Sequence, residues 1–224
     1  MPEMHDLSPL PEGGEITCEL FKANDREQVI SCLASTFSES EPMTKTLKIA
    51  PSELLGLAEL ICNEAISKGV SLVAKDNRTG RIAAFSLAGD FTDWPPQGIE
   101  RVNAKVFPIL ALVSDLDEEY KKNRKIMPGE IFHLSFLGSC GHYKKRKIAT
   151  TIVRKHLQLA QVKGFTCAVA EVTGPASQHI LIDKFGFVEK CRIDYKSYLY
   201  CGVRVFENIK DVSSCFLVEK RFVP

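Results

Sequence analysis

Four consecutive basic residues stand directly before a helix-like segment: Lys144, Lys145, Arg146 and Lys147. Apolar residues recur at helical spacing from Ala149 onward, so the basic run lies at the start of a predicted helix. The N-terminus of a helix already carries partial positive charge, and additional cations would repel it unless an anion binds there. The residue types and their position therefore predict a phosphate site, and a pyrophosphate would account for several cations together.

The same basic run has simpler interpretations. A short charged segment is often only a solvated surface, and KKRK also matches a nuclear-localisation signal. By position alone these interpretations rank first, because basic tetrapeptides are common. The neighbouring sequence supports the phosphate site, since EIFHLSFLGSC, residues 130–140, predicts a central strand that ends one short turn before the helix. Strand, turn and helix start together would expose backbone N–H groups to an anion.

The elements that must position this turn alternate along the chain. Strands are predicted at residues 16–23, in a hairpin over 70–91, at 130–140 and 165–172, and in two C-terminal runs, 197–206 and 214–222. Helices are predicted after a cap at Asn24 or Asp25, at 51–69, within an insertion over 94–129, and at 174–187. The segment SESEPMTKTL, residues 38–47, is predicted to be a polar loop broken by Pro42. Strands interleaved with helices indicate an α/β sheet domain.

The composition is that of an ordinary globular chain. Its 224 residues fit one large domain, and 45% hydrophobic with 25% charged residues is enough to bury a core. The net charge of +1 argues against a broad nucleic-acid-binding surface, and no apolar stretch is long enough to span a bilayer. Residues 1–15 are acidic and rich in proline and glycine, so we expect a flexible leader followed by a single domain over 16–224.

The cysteine pattern indicates an intracellular protein. Eight cysteines are scattered without a CxxC pair, and most fall inside apolar runs such as FTCAVAEV. Reduced, buried cysteines of cytoplasmic proteins behave in this way. The five histidines are dispersed and the spacings do not suit zinc, so we expect no metal. The prediction is a cytoplasmic protein without a metal site.

Three blocks of the sequence, in this order, resemble the GNAT superfamily of acyl-CoA-dependent N-acetyltransferases. Residues 144–149, KKRKIA, occupy the place of the family's Gln/Arg-x-x-Gly-x-Gly/Ala turn, with Tyr143 before them. Residues 168–189 are similar to the family's next strand, helix and turn, and the two C-terminal runs are similar to strands of its arylalkylamine (dopamine-type) branch. The resemblance implies an α/β fold with a mixed central sheet flanked by helices, splayed strands at the acyl-CoA site, and a helical insertion before the central strand.

The resemblance also assigns roles to individual residues. Acetyl-CoA would be the co-substrate and would be held by the strand end and the turn: Leu137, Gly138, Ser139, Lys144, Lys145, Arg146, Lys147, Ile148, Ala149 and Thr150. An early Glu-Pro pair supplies the catalytic base in the arylalkylamine branch, and Glu41-Pro42 stands in that place. Such a base takes the proton that an ammonium must lose before its nitrogen attacks a thioester. Glu39 is the nearest rival, and both could instead be solvated loop acids.

Two positions depart from the family pattern. Lys147 replaces the first motif glycine, and we expect the lysine to hold the same helical φ with its side chain turned aside. Ile182 stands where many members have a tyrosine that protonates the departing CoA thiolate, a role that isoleucine cannot fill. Thr173 and Ser177 match hydroxyl positions of the amine-acetylating branch and are the suggested substitutes. Turn and cap chemistry around Gly174-Pro175 accounts for these two hydroxyls equally well.

Other residues near the predicted site have more than one interpretation. Backbone N–H groups around Gly138 would stabilise an oxyanion, and the glycine would let the cofactor approach closely, or the strand simply ends in a Gly-Ser turn. His133 could assist proton transfer, although a satisfied core histidine is the favoured interpretation, as packing is for His156. Trp94 and the residues around Phe37 and Met43 could line an aromatic amine pocket or belong to the core.

These observations predict an N-acetyltransferase that moves acetyl from acetyl-CoA to a primary amine, foremost a small arylalkylamine, by direct attack with Glu41 as base. A protein or peptide acetyltransferase is the second hypothesis. A degenerate acyl-CoA-binding protein is the third, because Lys147 and Ile182 both depart from the pattern. Nucleic-acid binding through KKRK lacks the broader basic surface and stacking aromatics that it requires. The expected partner is a small-molecule amine, with no nucleic acid and no membrane.

Overall fold

The computed structural model describes residues 15–222, so the predicted leader lies outside the described residues except for residue 15. Within that range seven strands form one sheet: β1 (Ile16–Leu20), β2 (Leu72–Asp76), β3 (Ile82–Asp90), β4 (Ile131–Ser139), β5 (Cys167–Val172), β6 (Val188–Asp194) and β7 (Ser214–Arg221). The same residues contain six α-helices: α1 (Arg26–Ser40), α2 (Pro42–Thr46), α3 (Pro51–Lys68), α4 (Phe107–Lys121), α5 (Ile148–Val162) and α6 (Pro175–Gln178). None of these helices is long and apolar enough to cross a membrane.

Helices cover both faces of the sheet, whose strand order is β1-β2-β3-β4-β5-β7-β6. All neighbouring strands are antiparallel except β4 and β5. Phe85 and Leu87 of β3 pack against α1 and α3, whereas Ala84 of the same strand packs against α5 on the opposite face. Side chains alternate between the faces of a strand, so α1 and α3 lie on one side and α5 on the other. This architecture confirms the predicted α/β fold with a mixed, helix-flanked sheet.

The central strands β4 and β5 separate along their length. Their parallel pairing covers three positions and ends where His133 faces Val169. Beyond that point β4 continues beside β3, with a register shift that leaves Ser135 as an extra residue between Leu134 and Phe136. A bulge of this kind bends its strand and increases the local twist. The second half of β4 therefore turns away from β5 and leaves an opening between them, which confirms the predicted splayed strands.

The predicted polar loop over residues 38–47 is wrong. α1 continues to Ser40, and α2 begins at Pro42 after the single intervening residue Glu41. Glu41 has an extended backbone, with φ −80° and ψ 125°, because a residue before proline is driven out of the helical region. Met43 and Thr44 are buried. This polar segment forms a buried helix junction, because Thr44 donates hydrogen bonds to the Glu41 carboxylate.

The predicted cap of α1 is also wrong in its chemistry. Asp25 stands at the N-cap position, but its side chain makes no cap hydrogen bond. Its carboxylate lies 2.8 Å from the Nζ atom of Lys75 on β2. A tertiary ion pair has replaced the local cap that the sequence pattern indicated.

The C-terminal half contains a strand that the pattern did not predict. Residues 197–206, expected to be a strand, contribute only an isolated bridge between Tyr200 and Val203. Their aromatic side chains pack together instead, with the Tyr198 and Phe206 rings stacked 5.9 Å apart. The edge strand is β6, immediately upstream. Its charged residues alternate with few apolar ones, which weakens the strand signal in the sequence.

One cysteine pair contradicts the prediction that the cysteines are reduced. Cys32 of α1 and Cys140, directly after β4, form a disulfide with a Cα–Cα distance of 5.4 Å. The two residues are 108 positions apart in the sequence, so spacing alone could not indicate the bond. The other six cysteines are free, and three of them are buried.

Candidate active site

Glu41 is held by its own local sequence at the junction of α1 and α2. Its carboxylate accepts a hydrogen bond from the Met43 backbone N–H at 3.1 Å. It also accepts from the backbone N–H and the hydroxyl of Thr44, each at 2.6 Å. The residue is only 8% exposed. Three donors within three residues therefore fix the orientation of this carboxylate.

Two opposing effects act on the proton affinity of Glu41. Burial raises the pKa of its carboxyl above the ordinary value, whereas hydrogen bonds from Thr44 and Met43 and the Thr173 side chain pull that pKa down. The effect of burial is the larger, so the pKa is raised. A carboxylate whose pKa is raised toward the working pH is a better general base than a solvated one.

The end of β5 reaches Glu41 through a close backbone approach. Gly174 follows Thr173 at this end, and a Cβ atom on Gly174 would lie 3.1 Å from Cδ of Pro42. The missing side chain therefore lets the strand end contact the Glu41-Pro42 pair. The hydroxyl of Tyr195 donates to the Thr173 carbonyl at 2.7 Å and fixes the same segment from the other side.

Ser177 makes the hydrogen bonds of a cap. Its hydroxyl donates to the Gly174 carbonyl at 3.0 Å and accepts from the Gly174 N–H at 3.3 Å. Turn and cap chemistry therefore accounts for its contacts, and a catalytic role for Ser177 stays a prediction. Ile182 lies in the π-helical turn His179–Lys184 and packs in the apolar cluster between β5 and α5.

Aromatic side chains stand on the α1 side of the opening. The Phe37 ring of α1 lies 5.4 Å from that of Phe136, on the splayed half of β4. Trp94 contacts Phe136 at 6.2 Å and His133 at 5.6 Å. Phe37 is four residues before Glu41, and its carbonyl accepts the Glu41 N–H at 3.0 Å. An apolar, aromatic wall therefore begins one helical turn from the buried carboxylate.

The basic run forms the turn that enters α5. Tyr143 anchors it, because the ring is buried and its hydroxyl donates to Asp76 at 2.7 Å. The Nζ atom of Lys144 lies 2.8 Å from a carboxylate oxygen of Glu39, and Arg146 lies 3.1 Å from Glu15. Exposed ion pairs of this type are weak. A stronger anion at the turn could therefore take the place of these carboxylates.

The expectation that Lys147 holds a helical φ is wrong. Lys147 is the N-cap of α5 and has φ 61°, in the left-handed region, as does Lys145 with φ 63°. A non-glycine residue costs about 1–2 kcal/mol in that region. The family's preference for glycine at this position thus has a conformational reason in addition to close approach. Lysine keeps the geometry of the turn at an energetic cost.

The start of α5 has the features of an anion site. α5 is a 15-residue helix that begins at Ile148, so the backbone N–H groups of Ile148, Ala149 and Thr150 have no carbonyl partner within the helix. They lie beside two exposed lysines and an arginine. Leu137 and Ser139 belong to the half of β4 that has left β5. Helix start, cations and strand opening therefore lie in one continuous region.

Gly138 has an internal reason for lacking a side chain. A Cβ atom at this position would lie 2.5 Å from the Phe85 ring and 3.2 Å from Thr36. Close packing of α1 and β3 thus accounts for the glycine on this face. Approach of a cofactor along the strand stays a prediction.

A second acidic cluster lies at the point where β4 and β5 separate. Nε2 of His133 is 2.8 Å from Oε2 of Glu171, and Asp117 of α4 interacts with the same carboxylate. Burial and the neighbouring Glu171 raise the pKa of Asp117 well above its ordinary value. Burial would also raise the pKa of Glu171, but the charge on His133 and hydrogen bonds from His133 and Asp117 lower it instead.

This cluster is incompletely satisfied within residues 15–222. Oδ1 of Asp117 and Oε1 of Glu171 are buried there without a hydrogen-bond partner. His133 is thus a buried histidine satisfied by a hydrogen bond, as the favoured interpretation predicted, and its partner Glu171 belongs to the acidic cluster. His156 fits the packing interpretation, because it is fully buried between Ser86 and the Val70 carbonyl, and burial lowers its pKa to about 4.

Sequence reasoning missed the residues that support Glu41. Thr44 lies in the predicted loop and Cys215 in a predicted strand, and the sequence pattern assigns no element or role to Tyr195. Tyr195 and Cys215 are fully buried; burial raises the pKa values of both, and the nearby charge of Glu41 raises them further. The signal available in the sequence is Pro42, because proline is common at the first position of a helix.

Known proteins resemble this chain in structure more than in sequence. No protein-family profile matches the sequence, and no curated protein matches it. The C-terminal condensation domain of Ebony, in complex with beta-alanyl-dopamine, superposes with a TM-score of 0.83 at 19% identity and covers 92% of this chain and 99% of that one. Arylalkylamine N-acetyltransferase 2 from Aedes aegypti gives a TM-score of 0.75 at 22% identity, covering 93% of this chain and 99% of that one.

A third similar structure is that of an enzyme that acts on a different amine. The Drosophila melanogaster polyamine N-acetyltransferase, which catalyses formation of N-acetylagmatine, gives a TM-score of 0.73 at 17% identity and covers 92% of this chain and 100% of that one. At these identities the likeness shows the fold, and it extends over nearly the whole chain. The protein therefore has the GNAT fold, as the resemblance in its sequence predicted.

Proposed function

We propose that this protein is an acyl-CoA-dependent N-acetyltransferase that transfers acetyl from acetyl-CoA to a primary amine. The observation that carries the proposal is the buried carboxylate of Glu41, fixed by three donors beside the end of β5. The GNAT fold and the basic turn at the start of α5 support it. Acetyl-CoA would supply an activated thioester, and the residues around the turn would hold its phosphates.

The chain's own residues would prepare the amine for direct attack. An ammonium entering the apolar opening must lose a proton, and Glu41 is oriented to accept it. Met43, Thr44 and Thr173 would keep the carboxylate in place while its charge changes. Backbone N–H groups at Leu137 to Ser139 would donate to the oxygen that gains negative charge. Collapse of the tetrahedral intermediate then breaks its C–S bond and releases CoA as a thiolate, which takes up a proton. The hydroxyls of Thr173 and Ser177 are the proposed sources of that proton, since Ile182 has none to donate.

A small arylalkylamine is the proposed acceptor. The wall formed by Phe37, Phe136 and Trp94 would contact an aromatic ring, while Glu41 receives the amine proton. Two of the similar structures also concern aromatic amines, one an arylalkylamine N-acetyltransferase and one in complex with beta-alanyl-dopamine. A cytoplasmic location belongs to this proposal. A peptide acceptor or a non-catalytic acyl-CoA binder remains the alternative that the assay below must reject.

One observation favours a second candidate, transfer of an aminoacyl group. The structure with a TM-score of 0.83 is a condensation domain in complex with an N-β-alanyl amine. In addition, Lys147 has a left-handed φ at the position where the acyl-CoA motif has its first glycine. An assay with β-alanyl-CoA beside acetyl-CoA, each with dopamine as acceptor, distinguishes the two candidates by the amide product.

The test is a titration followed by a turnover assay. Calorimetric titration with acetyl-CoA should give saturable binding, and release of free CoA should then be measured with arylalkylamines, polyamines and peptides. We expect turnover with an aromatic amine. Binding without turnover on any amine would contradict the enzymatic function, and absence of binding would contradict the donor.

A further inference from the structure

The single disulfide among the described residues joins the two halves of the candidate site. Cys32 lies on α1, and Cys140 directly follows β4, in the segment that leads to the basic turn. The backbone N–H of Cys140 donates to the Ala83 carbonyl at 2.9 Å, and this hydrogen bond fixes Cys140 to the sheet. The bond therefore ties a helix to the strand end from which the donor-binding turn begins.

Helix α1 is in contact with both the base and the turn. Four residues after Cys32, Thr36 donates to the Ser139 carbonyl at 3.3 Å. Near the end of the same helix, Glu39 pairs with Lys144 at 2.8 Å. The helix ends one residue before Glu41. Apart from the disulfide, these links are a long hydrogen bond and an exposed ion pair, each of which contributes little. The covalent bond is thus the strongest connection between α1 and the turn.

The disulfide is reachable from solvent. Cys32 and Cys140 line an open surface pocket of about 470 Å³ whose other walls include Gln28, Ser35 and Arg81. Cys140 is half-buried, so a small thiol entering this polar pocket could approach a sulfur atom. Access of the attacking thiolate is one of the conditions that set the rate of thiol–disulfide exchange.

The remaining cysteines indicate that the bond is switchable. Six of the eight are free, and Cys201 is an exposed thiol. A chain with an exposed free thiol suits a reducing compartment, where a disulfide is usually transient, catalytic or redox-sensing. The position of the bond beside the candidate site and at an open surface pocket favours the redox-sensing role.

We propose that the Cys32–Cys140 disulfide is a redox switch that sets the affinity of the basic turn for an acyl-CoA donor. A cellular dithiol would supply the two electrons and two protons: the S–S bond breaks, Cys32 and Cys140 become thiols, and the dithiol closes to its own disulfide. Reduction frees the turn to move relative to α1, which weakens donor binding. The inference rests on the proposed function, because it concerns the donor of that reaction.

The test compares acetyl-CoA binding in the two redox states of the full chain. Oxidised and dithiothreitol-reduced protein are titrated with acetyl-CoA by calorimetry, after mass spectrometry has counted free thiols and circular dichroism has verified folding. Reduction should raise the Kd by about fivefold to about 100-fold, the range of an ordinary allosteric coupling. The double variant C32A/C140A should bind acetyl-CoA with the Kd of the reduced protein, and adding the reductant should not change that Kd. Cys201→Ser, which removes an exposed free thiol, should respond like the wild type.

The outcomes separate the inference from the function on which it rests. Equal Kd values in both redox states would overturn the switch while leaving the acyltransferase intact. So would a free-thiol count that stays at eight under oxidising conditions and does not fall to six. A C32A/C140A variant that still responds to the reductant would also overturn it. Absence of acetyl-CoA binding in either state would contradict the proposed function itself.

Discussion

The two halves of the candidate site are built in opposite ways. Glu41 is 8% exposed and is fixed by donors from its own helix junction. The side chains of Lys144 and Arg146 are 35% and 44% exposed and are paired with Glu39 and Glu15 across the surface. The acceptor side is therefore preorganised before any substrate binds. The donor side is held by carboxylates that an anionic ligand can replace.

This difference predicts whether pH or ionic strength has the larger effect on each half of the site. Buried carboxyls respond to pH, because burial shifts their proton affinity and solvent cannot screen them. Exposed cations respond to salt, because ions screen surface charges beyond about 10 Å at 0.1 M ionic strength. Turnover should thus depend mainly on pH, and donor binding mainly on ionic strength.

The largest expected effect tests the buried half. Glu41→Gln keeps the shape of the side chain but removes its capacity to accept a proton. We expect kcat to fall by about 100- to 10,000-fold, with the acetyl-CoA Kd nearly unchanged. Steady-state CoA release and calorimetry measure the two quantities. Glu39→Gln is the control for the rival carboxylate, and a larger fall in kcat for Glu39→Gln than for Glu41→Gln would reverse the assignment.

The second prediction concerns the pH dependence of stability at Asp117. Burial raises its folded pKa, so the folded protein retains a proton that the unfolded chain loses above about pH 3.9. The wild-type stability therefore falls as pH rises toward the folded pKa. Asp117→Asn lacks this titration, and its stability relative to the wild type should increase by at most about 1.4 kcal/mol per pH unit.

Chemical denaturation of wild type and Asp117→Asn between pH 5 and about pH 8 measures this difference. Exposed Asp115 on the same helix, changed to asparagine, is the matched control. A stability difference that stays constant with pH would show that Asp117 is ionised in the folded protein.

The third prediction tests the exposed half. Lys144→Ala removes one cation of the turn, and a hydrogen bond to a charged group contributes about 1.5–3 kcal/mol. The acetyl-CoA Kd should rise about tenfold or more at low salt, and the salt dependence of binding should become weaker. Lys163→Ala, at the opposite end of α5, should change neither. Unaltered binding by Lys144→Ala would remove this lysine from the donor site.

The smallest effect concerns the backbone of the turn. Lys147→Gly replaces a lysine at φ 61° with the residue that occupies this region without cost. We expect a gain of about 1 kcal/mol in stability with donor binding retained, measured by thermal denaturation and calorimetry. Loss of acetyl-CoA binding would instead make the Lys147 side chain a phosphate ligand.

The sequence predicted those features whose causes are local. The helix from Pro51 to Gly69, the hairpin around residues 76–82 and the strand–turn–helix at the basic run all follow from periodicity and turn residues. The disulfide and the Asp25–Lys75 pair join residues far apart in the chain, so no spacing indicates them. The sequence pattern does not predict the junction around Glu41, because it cannot distinguish a serine or threonine exposed to solvent from one that is buried and hydrogen-bonded within the protein.

The most direct test of the account is single-turnover acetyl transfer to an aromatic amine such as tryptamine, measured against pH in wild type and Glu41→Gln. Burial raises the pKa of Glu41, and the ionised carboxylate is the form that accepts a proton. The wild-type rate should therefore rise with pH through a pKa above the ordinary glutamate value of about 4.3. The variant should be slow, and its rate should not show this rise. Equal rates with the same pH profile in both proteins would contradict Glu41 as the base.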